Sequence, residues 1–170
     1  MDTGLLILRG VVGLLLVGHG AQKLFGWFGG YGLRGTGDYL EGLGYRPGPL
    51  MALLAGLCEA GGGALLALGL GTPVAGAMLV AGMMNVYSGH EGKGPWNENG
   101  GWELPLVLGT VGAAAAFSGA GAYSLDGFLD ADLSGNGWGA AALATGAIVG
   151  LATQLTRRRA AKTSAAQTAA

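Results

Sequence analysis

Five long apolar stretches dominate this sequence and limit it to a narrow range of folds. A helix needs about 20 apolar residues to cross a bilayer. The chain is 51% hydrophobic and 11% charged, with a mean hydropathy of +0.46, whereas soluble domains carry about 25% charged residues. These values predict an all-α fold, a polytopic membrane helix bundle. The predicted spans are Gly4–Leu24, Pro49–Leu70, Pro73–Ser88, Glu103–Tyr123 and Trp138–Thr156.

The segments between the spans set the predicted topology. Gly71 and Pro73 form a tight reversal, since Gly ends helices and Pro begins them, so the second and third spans form a hairpin. The segments Phe25–Gly48 and Gly89–Trp102 are too polar to cross, and Ser124–Gly137 is an acidic loop. The two long loops therefore lie on one side of the membrane, and the acidic loop lies on the other.

The basic residues support five spans. Cytoplasmic loops of membrane proteins carry an excess of Lys and Arg, and five spans leave only Arg9 on the opposite side, where it snorkels to the interface or pairs with Asp2. We therefore expect a multi-pass protein of the cell inner membrane, with the N-terminus outside and the C-terminus cytoplasmic. The basic residues on the predicted cytoplasmic side are Lys23, Arg34, Arg46, Lys93, Arg157, Arg158, Arg159 and Lys162.

The same pattern divides the chain into three parts. Residues 1–129 form a four-helix membrane core, and residues 130–156 form the acidic loop and an additional transmembrane helix. Residues 157–170 are a basic tail whose composition, poor in bulky apolar residues, predicts a disordered cytoplasmic segment. The first span lacks a basic n-region and an Ala-x-Ala site, so we expect it to be retained.

Small residues recur every fourth position along three spans. The hydrophobic effect does not drive helices together within lipid. Helices associate there through close packing, and small residues let their backbones approach closely. We interpret these stripes as contacts between helices of one chain, with a homodimer face as the alternative. The stripes are Ala52, Gly56, Ala60 and Ala64; Gly112, Ala116 and Ala120; and Ala142, Gly146 and Gly150.

A cluster of polar side chains is predicted at the cytoplasmic end. His19, Gln22 and Lys23 share one face of the first span, and Glu59 lies roughly 15 Å into the second span. Buried ionisable groups usually face the bundle interior and a partner. A contact between His19 and Glu59, direct or through water, is geometrically reasonable, and Lys23 can reach inward on its long stem. Burial disfavours a charged carboxylate, whereas a nearby cation favours it. Two roles are therefore open for Glu59: it is a proton carrier or a fixed counter-ion.

We take His19, Lys23 and Glu59 as candidate catalytic residues. The alternative to a functional role is a structural one. His19 and Glu59 would then form structural hydrogen bonds, and Lys23 and Glu103 would be ordinary charges at helix ends. Cys58 is the only cysteine, so one chain cannot build a dithiol relay. No local spacing matches a metal-ligand motif, and we predict no metal site. The candidate binding residues are Gln22, Asn85, Tyr87, His90 and Glu103.

Four sequence blocks resemble the DoxX family of small membrane proteins. The resemblance implies a four-helix membrane core that serves as a subunit or partner of an oxidoreductase system linked to quinones, thiosulfate or oxidative-stress defence. It also implies that His19, Gly20, Gln22, Lys23, Glu59 and Glu103 are the recurring polar-block positions. The fifth span departs from this pattern. The blocks are "LRGVVGLLLVGHGAQKLFG" at Leu8–Gly26, "LAGLCEAGGGALLALGLGTPVAGAML" at Leu54–Leu79, "GGWELPLVLG" at Gly100–Gly109 and "GAYSLDGFL" at Gly121–Leu129.

Two functional hypotheses follow. In the first, a quinone headgroup lies among His19, Lys23, Glu59 and Tyr87, because a quinone needs donors to its carbonyl oxygens and a protonatable group. The sequence has no haem-ligation motif, cysteine cluster or nucleotide-binding fingerprint, so we expect a non-autonomous subunit whose electrons come from a protein partner. The alternative is a non-enzymatic assembly factor or a small proton-coupled transporter. The expected surroundings are the lipid bilayer and a membrane complex, without nucleic acid.

Overall fold

The computed structural model describes the backbone of residues 1–168 and the side chains of residues 1–160, and this part of the chain contains helices and no β-strand. The predicted all-α bundle is confirmed. Short 3₁₀ turns occur at Trp27–Gly29, Ser88–His90 and Asn97–Asn99. The α-helices are α1 (Asp2–Phe25), α2 (Gly32–Gly42), α3 (Gly48–Leu68), α4 (Thr72–Tyr87), α5 (Glu103–Ser118), α6 (Leu125–Phe128) and α7 (Asn136–Thr168).

Every predicted span has a helix at its position. Three stretches are long and apolar enough to cross a membrane: α1, α3 and the Asn136–Ala160 portion of α7. The helices α4 and α5 have 16 residues each, and their crossing of the membrane stays a prediction. The fourth predicted span was too long, because α5 ends at Ser118, where Gly119 adopts a φ of +73°. This conformation favours glycine.

The last helix is longer than the sequence pattern suggested. α7 continues beyond Thr156 and the basic residues as far as Thr168, so the described part of the tail that we predicted to be disordered is helical instead. Alanine has the highest intrinsic helix propensity, and the segment Ala160–Ala170 is rich in it. Residues 169 and 170 lie outside the described backbone.

The predicted hairpin between α3 and α4 is confirmed. Gly69 ends α3 in the left-handed conformation at φ +63°, and Gly71 precedes α4 at φ +57°. Pro73 lies in the first turn of α4, where its missing N–H breaks no helical hydrogen bond.

The helices pack as a chain of neighbours. α1 packs on α3, α3 on α4, and α4 on both α5 and α7, while the short α2 lies on α3. We call the end of the bundle where α1 and α7 finish and α3 begins the basic end. The end that carries α6 and the acidic loop is the acidic end. The buried apolar core between them includes Leu16, Leu66, Leu79, Met83 and Leu108.

The small-residue stripes lie at contacts between helices of the same chain. A Cβ atom placed on Gly20 of α1 would come within 2.5 Å of Ala60 of α3. A Cβ atom placed on Gly112 of α5 would likewise lie too close to Leu79 of α4, and one placed on Gly146 of α7 would lie too close to the backbone of α4 at Ala77. Packing within the chain therefore accounts for these positions of the stripes.

Gly20 and Gly18 offer a matched test of this packing. Gly20→Ala should lower the free energy of unfolding by about 1–3 kcal/mol, as overpacking does in close-packed interiors. Gly18→Ala is the control, because the space around a Gly18 Cβ is open. The measurement is the unfolding midpoint during SDS titration of the detergent-solubilised protein. Equal midpoints for the two variants would contradict the α1–α3 contact.

Arg9 is buried at the acidic end, so the expectation that it snorkels or pairs with Asp2 was wrong. Its side chain is 4% exposed. Nη1 donates a hydrogen bond to the carbonyl oxygen of Ala67 at 2.9 Å, and Nη2 donates one to the carbonyl oxygen of Tyr123. Because both acceptors are backbone atoms distant in sequence, Arg9 joins the end of α3 to the segment after α5. Asp2 instead accepts a hydrogen bond from the backbone N–H of Ala122.

Asp126 of α6 fastens the hairpin from the other side. Its carboxylate is 4% exposed and accepts hydrogen bonds from the backbone N–H of Gly71 at 2.7 Å and of Thr72 at 3.1 Å. The Thr72 hydroxyl donates a third at 2.7 Å, and the backbone N–H of Asp126 donates to the carbonyl of Gly69. The acidic end is therefore held together by buried polar contacts.

Candidate functional site

A cavity of about 350 Å³ opens between α1, α2, α3, α4 and α7 at the basic end of the bundle. Small-molecule sites usually measure about 300–1,000 Å³ and have mostly apolar walls with a few polar groups. The walls here follow this pattern. The apolar lining residues include Leu40, Leu43, Met51, Leu54, Val86 and Val149.

Lys23 and Glu59 form an ion pair in the wall of this cavity. Lys23 Nζ donates to Glu59 Oε2 at 2.5 Å, and the two side chains are 26% and 3% exposed. Glu59 is the twelfth residue of α3, which places it about 16 Å from the start of the helix at 1.5 Å per residue. An isolated charge at that depth is costly, and a paired one is much less so.

The geometry of the pair leaves one carboxylate oxygen for a ligand. Among the residues whose side chains are described, the hydrogen bond of the Glu59 carboxylate goes to Oε2, so Oε1 has no hydrogen-bond partner, and Glu59 lines the cavity. Lys23 also lines the cavity, and its ammonium has donors beyond the one that Glu59 accepts. The cavity therefore presents a donor and an acceptor side by side, with no net charge between them.

The predicted direct contact between His19 and Glu59 was wrong, and a contact through water stays a prediction. In the part of the chain with described side chains, the hydrogen bond of His19 is to Gln22, with Nδ1 3.2 Å from Oε1, and His19 does not line the cavity. Gly20 faces α3, and at 3.6 residues per turn Lys23 lies about 60° around the helix from Gly20 whereas His19 lies about 100° away. Lys23 is thus turned closer to Glu59, and its stem spans the remaining distance.

A network of neutral polar groups forms the opposite wall. Tyr45 is 4% exposed, and its hydroxyl donates to Asn85 Oδ1 at 3.0 Å and lies 2.8 Å from Ser88 Oγ. Asn85 Nδ2 donates to the carbonyl oxygen of Ala81 at 2.8 Å. Because these partners already satisfy the Asn85 amide, we interpret the network as the support that fixes the Tyr45 ring.

The structure brings only some of the predicted site residues together. Lys23, Glu59, Asn85 and His90 line the cavity, and His90 Nδ1 lies 2.6 Å from the carbonyl oxygen of Gly100. The other predicted residues lie outside its lining.

Three predicted binding residues make contacts elsewhere. Gln22 donates to the carbonyl oxygen of Phe28 at 3.2 Å. The Tyr87 ring is 41% exposed and lies 6.0 Å from the Trp102 ring. Glu103 accepts a hydrogen bond from the backbone N–H of Asn97. These contacts organise the loops at the basic end.

Several cavity residues were not identified from the sequence. Thr36 and Tyr39 come from α2, Tyr45 from the connection between α2 and α3, and Thr153 from α7. The available signal was the run of aromatic and apolar residues in Phe25–Gly48, a segment that we interpreted only as too polar to cross the membrane. Nothing in the local sequence places that segment beside α4.

Metal coordination has no support in this arrangement. Across the described residues, no group of three or more His, Cys, Asp or Glu side chains lies close enough to hold a metal ion.

An apolar bundle with a mostly apolar cavity that holds an ion pair at one end defines a class: small integral membrane proteins with a ligand-sized site between their helices. The family model for DoxX matches residues 4–88, which is half of the chain and includes Lys23 and Glu59. This chain belongs to the DoxX family. The blocks at Gly100–Gly109 and Gly121–Leu129 lie beyond the match. No curated protein and no solved structure matches the chain.

Proposed function

We propose that the cavity binds the headgroup of a quinone, and that the protein is a ligand-binding subunit of a quinone-linked membrane oxidoreductase system. One observation carries the proposal: an apolar cavity at the end of a membrane bundle contains the Lys23–Glu59 pair, with Glu59 Oε1 unpaired in the described structure. A neutral ligand with an apolar body and polar oxygens matches both the apolar walls and the ion pair.

The two groups suit the two redox states of such a ligand. The Lys23 ammonium can donate to a quinone carbonyl oxygen, and Glu59 Oε1 can accept a hydrogen bond from a quinol hydroxyl. Reduction of a quinone takes up two electrons and two protons. The two protons come from water at the partly exposed Lys23, and the Glu59 carboxylate can relay them one at a time, taking up a proton and passing it to a ligand oxygen before it takes up the next. The electrons come from a partner protein.

We also propose that the basic end faces the cytoplasm. The support is the excess of Lys and Arg that cytoplasmic segments carry and the position of Lys23, Arg46 and Arg157 at this end. The cavity then opens toward the inner leaflet, where a lipid-soluble ligand and a cytoplasmic electron donor can both reach it.

Equilibrium dialysis of the detergent-solubilised protein against a short-chain ubiquinone tests the proposal. We expect saturable binding that Glu59→Gln weakens by about tenfold or more, the effect of losing a hydrogen bond to a charged group. Glu103→Gln removes a carboxylate outside the cavity and serves as the control. A wild-type protein that binds neither ubiquinone nor a short-chain menaquinone would contradict the proposal. That result would favour the assembly-factor or transporter alternative.

A further inference from the structure

Arg157 makes a set of contacts that ties the end of α7 to the rim of the cavity. Its side chain is 14% exposed. Nε donates to the carbonyl oxygen of Leu43 at 2.9 Å, and Nη2 donates to Glu91 Oε2 at 3.1 Å. The guanidinium carbon lies 5.5 Å from the centroid of the Tyr45 ring, within the range of a cation–π contact. We call Arg157 with these three partners the Arg157 clasp.

The partners of Arg157 belong to the walls of the cavity or adjoin them. Leu43 and Tyr45 line the cavity from the connection between α2 and α3, and Glu91 directly follows the lining residue His90. The helix α7 itself contributes Val149 and Thr153 to the lining. One side chain therefore joins three separate segments around the basic end.

The rest of α7 is held along α4. Gly146 packs against Val80, Gly150 packs against Met84, and Gln154 donates a hydrogen bond to the carbonyl oxygen of Met84. The clasp comes one turn after these contacts. Its ion pair is partly exposed, since the Glu91 side chain is 39% accessible, so it can break while the helix upstream stays packed.

We infer that the end of α7 narrows the mouth of the ligand cavity at the basic end, and that the Arg157 clasp holds the mouth narrow. When the clasp breaks, the connection between α2 and α3 separates from α7, and the mouth of the cavity widens. α7 lies outside the residues that the family model matches, and the inference stands on the contacts of this chain whichever ligand occupies the cavity.

The lone cysteine reports on this opening. Cys58 lines the cavity and is the only cysteine in the chain. A charged methanethiosulfonate reagent cannot partition into lipid, so it reaches the partly exposed Cys58 through water at the mouth of the cavity, and it reacts faster when the mouth widens. We expect Arg157→Gln to label about tenfold faster than the wild type, the scale of a lost charge-assisted hydrogen bond.

Two further variants keep the test decisive. Glu91→Gln changes a half-exposed side chain at the rim and should also label faster, whereas Arg158→Gln should label at the wild-type rate, because Arg158 is 63% exposed and lies 3.8 Å from Glu91. The labelling rate in SDS is that of the unfolded chain, so a variant that labels at this rate in mild detergent has unfolded. Wild-type labelling rates in folded Arg157→Gln or in Glu91→Gln would overturn the inference. Quinone binding is measured separately by dialysis, so either proposal can fail alone.

Discussion

Replacing Lys23 by methionine should lower the free energy of unfolding by about 3 kcal/mol, the lower end of the range for removing one partner of a buried ion pair. The cause is Glu59, whose side chain is 3% exposed and whose ion-pair partner is Lys23. Without the ammonium group, the protein must either keep an uncompensated carboxylate at the cavity wall or protonate it. The SDS unfolding midpoint of the detergent-solubilised protein measures the loss.

The double variant Lys23→Met, Glu59→Leu separates stability from function. Replacing both partners by apolar residues removes the uncompensated charge, so stability should return to within about 1 kcal/mol of the wild type. Quinone binding should be absent from this double variant. Lys93→Met, in the exposed loop after α4, is the control and should change neither property. A double variant as unstable as Lys23→Met would show that the shape of the side chains, and not the uncompensated charge of Glu59, causes the loss of stability.

Asp126→Asn should lower the free energy of unfolding by about 2–3 kcal/mol, because a buried carboxylate that accepts three hydrogen bonds loses its charge and one acceptor oxygen. The amide would turn a donor toward the N–H groups of Gly71 and Thr72. Asp130→Asn is the matched control. Asp130 is exposed and has a φ of +51°, a conformation that asparagine tolerates.

The same SDS titration measures both aspartate variants. Equal midpoints for Asp126→Asn and Asp130→Asn would contradict the role of Asp126 in fastening the α3–α4 hairpin. Since Asp126 lies at the acidic end, far along the bundle from the cavity, Cys58 labelling and quinone binding should respond only through the loss of folded protein.

The positions of the long helices could be predicted from the sequence because apolar length and helix-ending residues are local signals. Gly71 and Pro73 marked the hairpin correctly. The helix α2 was missed because its 11 residues mix polar and apolar side chains. The end of α5 was missed because Gly119 reads as one more small residue in an apolar run, and only its backbone conformation ends the helix.

The candidate site could be predicted in part. Helix spacing placed Lys23 and Glu59 at the same end of the bundle, with Lys23 nearer the surface and able to reach inward on its stem. It did not fix the rotation of α1 about its axis, which the contact of Gly20 with α3 determines and which selects Lys23 over His19. Arg9 shows the other limit. Its acceptors at Ala67 and Tyr123 are 58 and 114 residues away, so no local pattern could indicate that it is buried.

The pairing of Lys23 with Glu59 also bears on bioenergetics. A transmembrane voltage does work on net charge, about 2.3 kcal/mol per elementary charge per 100 mV. The paired ammonium and carboxylate have no net charge, so the transmembrane field acts on them only as a small dipole. A neutral ligand can therefore exchange with the bilayer without moving charge across the field. For the ligand that we propose, occupancy of the cavity should therefore follow the size of the lipid-soluble pool while the membrane potential rises and falls with respiration.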